Sequence, residues 1–116
     1  MSEMSSAGEE RTPIERIFHA LADPTRRQMV ERASQGPVTV SELARPFAIT
    51  LAAAVQHVQV LEQSGLVHTE KQGRVRLVQL NPAGMAVLRA WVEQRGNPWE
   101  HRLGLLGDML DRKNSR

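Results

Sequence analysis

Gln56 and Gln59 stand three residues apart in the segment LAAAVQHVQVLEQSGLV, residues 51–67. On a helix that spacing brings both amides to one face. A side-chain amide donates and accepts at once, which is the pairing that adenine presents through N6 and N7 in a major groove. Val55 borders the same face, where a valine methyl suits a thymine methyl, and Ala52 shares the side with the glutamines. Thr50 precedes the segment. Its hydroxyl, with the free amides of a helix start, suits a phosphate. His57 lies towards the packed side, where a structural hydrogen bond and a phosphate contact are both open. Glutamines are also ordinary helix-surface residues, so the surroundings must decide between the two readings.

A second group follows. Lys71, Arg74 and Arg76 cluster within six residues. At the tip of a hairpin they would protect a sheet edge, or contact phosphates and a narrow minor groove. Other chemistry finds little support. The chain has no cysteine, which removes disulfides, thiolate metal sites and a cysteine nucleophile. His19, His57, His68 and His101 form no pair at metal-ligand spacing. No glycine-rich phosphate loop or nucleophile elbow is present. The expectation is therefore a protein without enzymatic activity, cofactor or metal site.

The elements that would position these residues can be read in order. Thr12-Pro13-Ile14-Glu15 predicts a helix start with a capping box. Asp23-Pro24 predicts a second start, and Gly36-Pro37 a stop. Val38-Thr39-Val40 suggests a brief strand. Ser41 would cap a short helix kept short by Pro46, and Thr50 would cap a longer one ending at Gly65. In that longer helix Leu51, Ala54, Val58 and Leu61 are expected on the inner face. Residues 66–80 alternate around Lys71-Gln72-Gly73, which predicts a β-hairpin with glycine in its turn. Asn81-Pro82 opens another helix, and Gly96-Asn97-Pro98 separates it from a last one. That last helix carries Trp99, Leu103, Leu106 and Leu110 as one apolar seam, which needs a partner surface.

The fold class that follows is mainly α with a small β-hairpin, a winged helix-turn-helix in the order α-α-(β)-α-α-β-β-α-α. The second helix of such a pair enters a major groove, and the hairpin reaches the neighbouring backbone. One domain over residues 12–112 is expected, between a polar tail at 1–11 and a short end at 113–116. The chain has 116 residues and a formal net charge of +2, which permits a nucleic-acid partner without demanding one. No apolar run approaches the roughly 20 residues of a membrane span, and the polar start does not read as a secretory signal, so a cytoplasmic protein is expected.

Three blocks carry a resemblance. Ala20-Leu21-Ala22-Asp23-Pro24-Thr25-Arg26-Arg27, Val40-Ser41-Glu42-Leu43-Ala44, and His57 through Val67, followed by Gly73-Arg74-Val75-Arg76, together resemble the ArsR-type winged helix-turn-helix repressors. The resemblance implies a homodimer that binds double-stranded DNA at a palindromic operator and represses transcription. Residues 99–103 resemble a subgroup whose final helix joins the dimer interface and which has no evident metal site. The expected interface is Ile14, Ile17, Phe18, Trp99, Leu103, Leu106 and Leu110. The chain departs from the family pattern in the recognition helix. Val55 and Gln56 stand where serine and lysine are usual, and Gln59 where lysine is common. The rival expectation is a protein-interaction module on the same fold that has lost DNA binding.

Overall fold

The computed structural model describes residues 11–96. Within them lie α1 (Pro13–Leu21), α2 (Pro24–Ala33), β1 (Val38–Thr39), α3 (Val40–Ala44), a 3₁₀ turn (Arg45–Phe47), α4 (Leu51–Gln63), β2 (Val67–Gln72), β3 (Val75–Leu80) and α5 (Pro82–Gln94). This is a winged helix-turn-helix. The expected tail up to residue 10, the last helix and the extreme end lie outside the described residues.

The helix starts follow their capping residues. Thr12 and Asp23 accept hydrogen bonds from the backbone N–H groups of Glu15 and Arg26, with proline at the first helical position of both helices. The Glu15 side chain is not part of the Thr12 cap, so the expected capping box is half formed. A complete box forms instead at α3. Thr39, not Ser41, is its cap, with Glu42 returning a bond to the Thr39 backbone. The Thr39 backbone and hydroxyl bonds hold the Glu42 carboxyl below the usual carboxylate range.

The turn between α3 and α4 needs one left-handed residue, and Ala48 supplies it at φ 52°. At the far end of α4, Gly65 takes φ 86°. Its N–H donates to the Glu62 carbonyl at 3.0 Å, and the Leu66 N–H to the Leu61 carbonyl at 3.2 Å. This is a Schellman closure, with Leu61 and Leu66 both buried beside it. α4 therefore has a defined first and last turn.

The sheet is antiparallel in the order β1-β3-β2. Val38 pairs with Val78, and β2 runs against β3 from Val67↔Leu80 to Gln72↔Val75. The core joins Ile17, Met29, Leu43, Leu61, Leu66, Val38, Val67 and Val78, so that every described helix but α5 and every strand contributes a fully buried large side chain. Alternation along β2 decays from buried Val67 to exposed Lys71 and Gln72. The hairpin thus leaves the body at its turn end, and only its base is anchored.

α5 is held by a close backbone approach. A Cβ placed on Gly84 would overlap the carbonyl group of Gly65 and the backbone nitrogen of Leu66. In a free helix alanine is favoured over glycine by about 1 kcal/mol. Here the overlap meets backbone and cannot be relieved by a rotamer change, and overpacking of this kind costs about 1–3 kcal/mol. Gly84→Ala should therefore lower the unfolding free energy despite its helix propensity. A urea titration checks the sign, and a stabilised variant would contradict this packing.

Candidate nucleic-acid interface

The first turn of α4 is set by Thr50, whose Oγ1 accepts from the Ala53 N–H at 3.0 Å. The hydroxyl proton stays available to donate. Ala54, Val58 and Leu61 turn inward and are buried. Ala52, Gln56 and Gln59 are exposed on the outer side, with Val55 exposed at its margin. The helix so presents apolar and amide groups, and its one charged residue is Glu62. Leu51 departs from expectation. Helical spacing assigns it to the inner flank, yet it is 55% exposed. It occupies the first position of α4, one turn ahead of wholly buried Ala54, where no described element covers it.

His57 is separated from the glutamines by a specific bond. Its Nδ1 lies 3.3 Å from Nη1 of Arg26. A guanidinium only donates, so Nδ1 is the acceptor in this contact. Arg26 also donates through Nε to the Ala20 carbonyl at 2.7 Å and through Nη2 to the His19 carbonyl at 3.2 Å. Arg27 donates to the carbonyls of Leu21 and Ala22 at 2.8 and 3.2 Å. The two arginines thus satisfy the carbonyls at the end of α1, and their charge suits the negative end of that helix. Their spacing in the sequence does not by itself mark this role. A signal for it is nonetheless present: the turn Ala22-Asp23 is so short that arginines in the first turn of α2 reach back over the end of α1.

The wing turns on Gly73 and Arg74, between the paired residues Gln72 and Val75. Gly73 takes φ 61°, and Arg74 does not need a positive φ, the pattern of a II′ turn. The turn is one residue further along than Lys71-Gln72-Gly73. Arg74 is therefore a tip residue and not a strand neighbour of Arg76. Lys71 and Arg76 are direct cross-strand partners, and like charges so placed are destabilising. All three cations are exposed at the free end of the hairpin, which concentrates positive charge there at some cost to the hairpin itself.

A chain of hydrogen bonds links this wing to α4. Glu62 Oε2 accepts from the Thr69 N–H at 3.0 Å and from its hydroxyl at 2.9 Å. The Thr69 hydroxyl oxygen in turn accepts from Arg76 Nη1 at 2.8 Å. Arg76 is thus directed by a carboxylate of the amide-bearing helix, a link that spacing alone does not reveal.

The expected interface residues divide. Phe18 is 41% exposed and meets Trp91 of α5 edge-on, with ring centroids 4.9 Å apart. The Arg95 guanidinium lies over the Trp91 ring at 4.3 Å. Val87 and Val92 of α5 are exposed too. Ile14 is half-buried. Ile17 requires a correction: it is wholly buried inside the subunit, so it supports this surface from beneath and cannot present itself to a partner. Trp99, Leu103, Leu106 and Leu110 lie outside the described residues. Among the described residues there is no group of three or more metal-ligating side chains, and no helix is long and apolar enough to cross a membrane.

Comparison with known proteins agrees with this geometry. A helix-turn-helix domain model matches residues 21–70, from the end of α1 into β2. The HTH-type transcriptional regulator Rv2034 of Mycobacterium tuberculosis is 46% identical over 75 residues, covering 65% of this chain and 70% of the relative. The crystal structure of an ArsR family transcriptional regulator, RHA00566, is 44% identical with a TM-score of 0.71, covering 77% of this chain and 98% of that one. The solution structure of a homodimeric winged helix-turn-helix DNA-binding domain from Mycobacterium bovis is 27% identical with a TM-score of 0.60, covering 70% and 75% of the two chains.

The junction that carries His57 makes a prediction about acid. The Arg26 N–H donates to the Asp23 carboxylate at 2.9 Å. That bond, with the Arg26 charge adding to it, holds the Asp23 carboxyl below its usual value. A carboxyl whose folded pKa lies below its unfolded one adds stability at neutral pH, and the contribution is lost as pH falls through the folded value. Asp23→Asn keeps a capping oxygen but cannot titrate. Its stability should fall less than that of the wild type between about pH 7 and pH 3, read as urea midpoints. Identical acid slopes would remove Asp23 from the account.

Proposed function

The chain belongs to the ArsR family of winged helix-turn-helix DNA-binding transcriptional regulators, and from that premise we propose that it acts as a repressor, binding a palindromic operator as a homodimer. Each subunit places α4 in a major groove. Gln56 and Gln59 contact base edges there, with Ala52 and Val55 beside them. Thr50 contacts a phosphate, and Lys71, Arg74 and Arg76 meet the adjoining backbone or minor groove. The observation that carries this reading is the exposed amide face of α4, joined through Glu62 and Thr69 to a wing whose cations are gathered at its free end.

Repression then needs no chemistry beyond occupancy, since a bound dimer covers DNA that other proteins require. Two-fold symmetry supports an inverted repeat with half-site centres about one helical turn apart, roughly 34–36 Å. The exposed Phe18–Trp91 surface supports α1 and α5 as part of the dimer contact, together with the apolar seam of Trp99, Leu103, Leu106 and Leu110. A cytoplasmic location accords with this role.

One observation favours a second reading. α4 contains no lysine or arginine, so the same face suits a protein partner if DNA binding has been lost. Selection from a random duplex library separates the two, since only a DNA reader enriches a palindrome. On the enriched site Gln56→Ala and Gln59→Ala should each cost about 1–3 kcal/mol, with little change on unrelated duplexes. Equal small losses on every duplex would contradict base recognition by these amides.

A further inference from the structure

Six large apolar side chains are exposed among the described residues, and they are not scattered. Phe18, Val87 and Val92 lie on α1 and α5, and Val75 on the wing. The other two, Leu51 at 55% and Val55 at 38%, belong to α4. None of the six falls on α2 or α3. Leu51 and Val55 are four residues apart on one helix, which makes them surface neighbours with Cβ atoms about 5–6 Å apart.

The first helical position does not call for leucine. It is a place where acidic residues and proline are favoured, and a leucine there exposes apolar area that a polar residue would not. It also stands next to Thr50, at the end of the helix whose N-terminal residues contact base edges in this class of fold. Exposed Arg45 borders the same hollow as Leu51, together with Ala48 and Ile49. Thr50 and Arg45 are the polar groups at this edge, and Leu51 follows Thr50 directly at the start of α4. What a major groove offers to an apolar side chain is the 5-methyl group of thymine.

We propose that Leu51 and Val55 form one apolar clamp that recognises a thymine 5-methyl group in each half-site, beside the position read by Gln56. The inference rests on the DNA-reading role proposed above for α4. It adds a specificity residue, Leu51, and a chemical identity for its target. The glutamines then select adenine by hydrogen bonding, while the clamp selects thymine by burial, so the two together favour an A·T-containing half-site.

Replacing thymine by deoxyuridine removes only the methyl group and leaves every hydrogen-bonding edge intact. The test is an affinity scan of the enriched operator in which each thymine of the half-site is replaced in turn, symmetrically in both halves. Wild-type protein should lose about fourfold per half-site at the clamped thymine, roughly fifteenfold for the symmetric pair, the equivalent of one buried carbon per half-site. In Leu51→Ala this preference for thymine should shrink, and in Leu51→Ala/Val55→Ala it should vanish, while discrimination at the Gln56 position persists. Leu51→Met, which keeps the apolar volume, should retain it. Leu51 is largely exposed, so the melting temperature reports that the variants stay folded. A wild-type protein that binds the enriched site but is indifferent to every deoxyuridine overturns the clamp alone. A methyl preference that is undiminished in Leu51→Ala also overturns it. Failure to enrich any sequence overturns the underlying DNA-reading role and the clamp with it.

Discussion

The guanidinium of Arg26 holds the end of α1, stands at the start of α2 and touches α4, so that three helices meet at this one side chain. Its Nε and Nη2 take the carbonyls of Ala20 and His19, its backbone N–H goes to Asp23, and Nη1 meets His57. Arginine suits this position because its planar fork donates in several directions at once and has no acceptor to misplace. A lysine offers three donors from one point and would leave some of the carbonyls unpaired. Behind the junction, Ile17, Met29 and Leu61 are buried together in the core. The polar contacts tie the helix ends together, and the apolar core supplies the bulk of the cohesion.

On the proposed reading, recognition is divided between two surfaces with different physics. α4 carries amides and small apolar groups with no lysine or arginine, so it adds little non-specific attraction for DNA. The wing carries the charge. Electrostatic attraction to phosphates is strong and indifferent to sequence, whereas amide and methyl contacts discriminate between bases. The Glu62–Thr69–Arg76 chain joins the two parts, so a carboxylate of α4 also positions a cation of the wing. A wing this exposed, anchored only at its base, takes its direction from such contacts.

Much of this is legible in the sequence. Caps at Thr12, Asp23, Thr50 and Asn81, and the stop at Gly65, mark helix ends because each satisfies backbone groups within a few residues of itself. Such local chemistry survives without knowledge of the rest of the chain. The features that spacing misreads depend on what lies opposite. Leu51 has core periodicity but no covering element among the described residues. Ile17 has the periodicity of an interface residue and is enclosed by its own subunit. The cap of α3 is Thr39 and not Ser41 because strand and helix abut there without a linker, so the last strand residue serves as the cap. The role of Arg26 and Arg27 is visible only once the end of α1 is known to lie beneath them. Of the candidate DNA-reading residues, Gln56 and Gln59 follow from spacing, whereas Leu51 emerges only from its exposure.

The division of labour is tested most directly by the salt dependence of operator affinity in wild type, Gln56→Ala and Arg74→Ala. Arg74→Ala should lower the slope of log affinity against log salt by about 0.9 for each phosphate that Arg74 neutralises, counted once per subunit. Gln56→Ala should weaken binding at every salt concentration and leave the slope unchanged. If both variants change the slope alike, or if Arg74→Ala leaves it untouched, charge and base recognition are not separated between wing and helix, and the account fails at its centre.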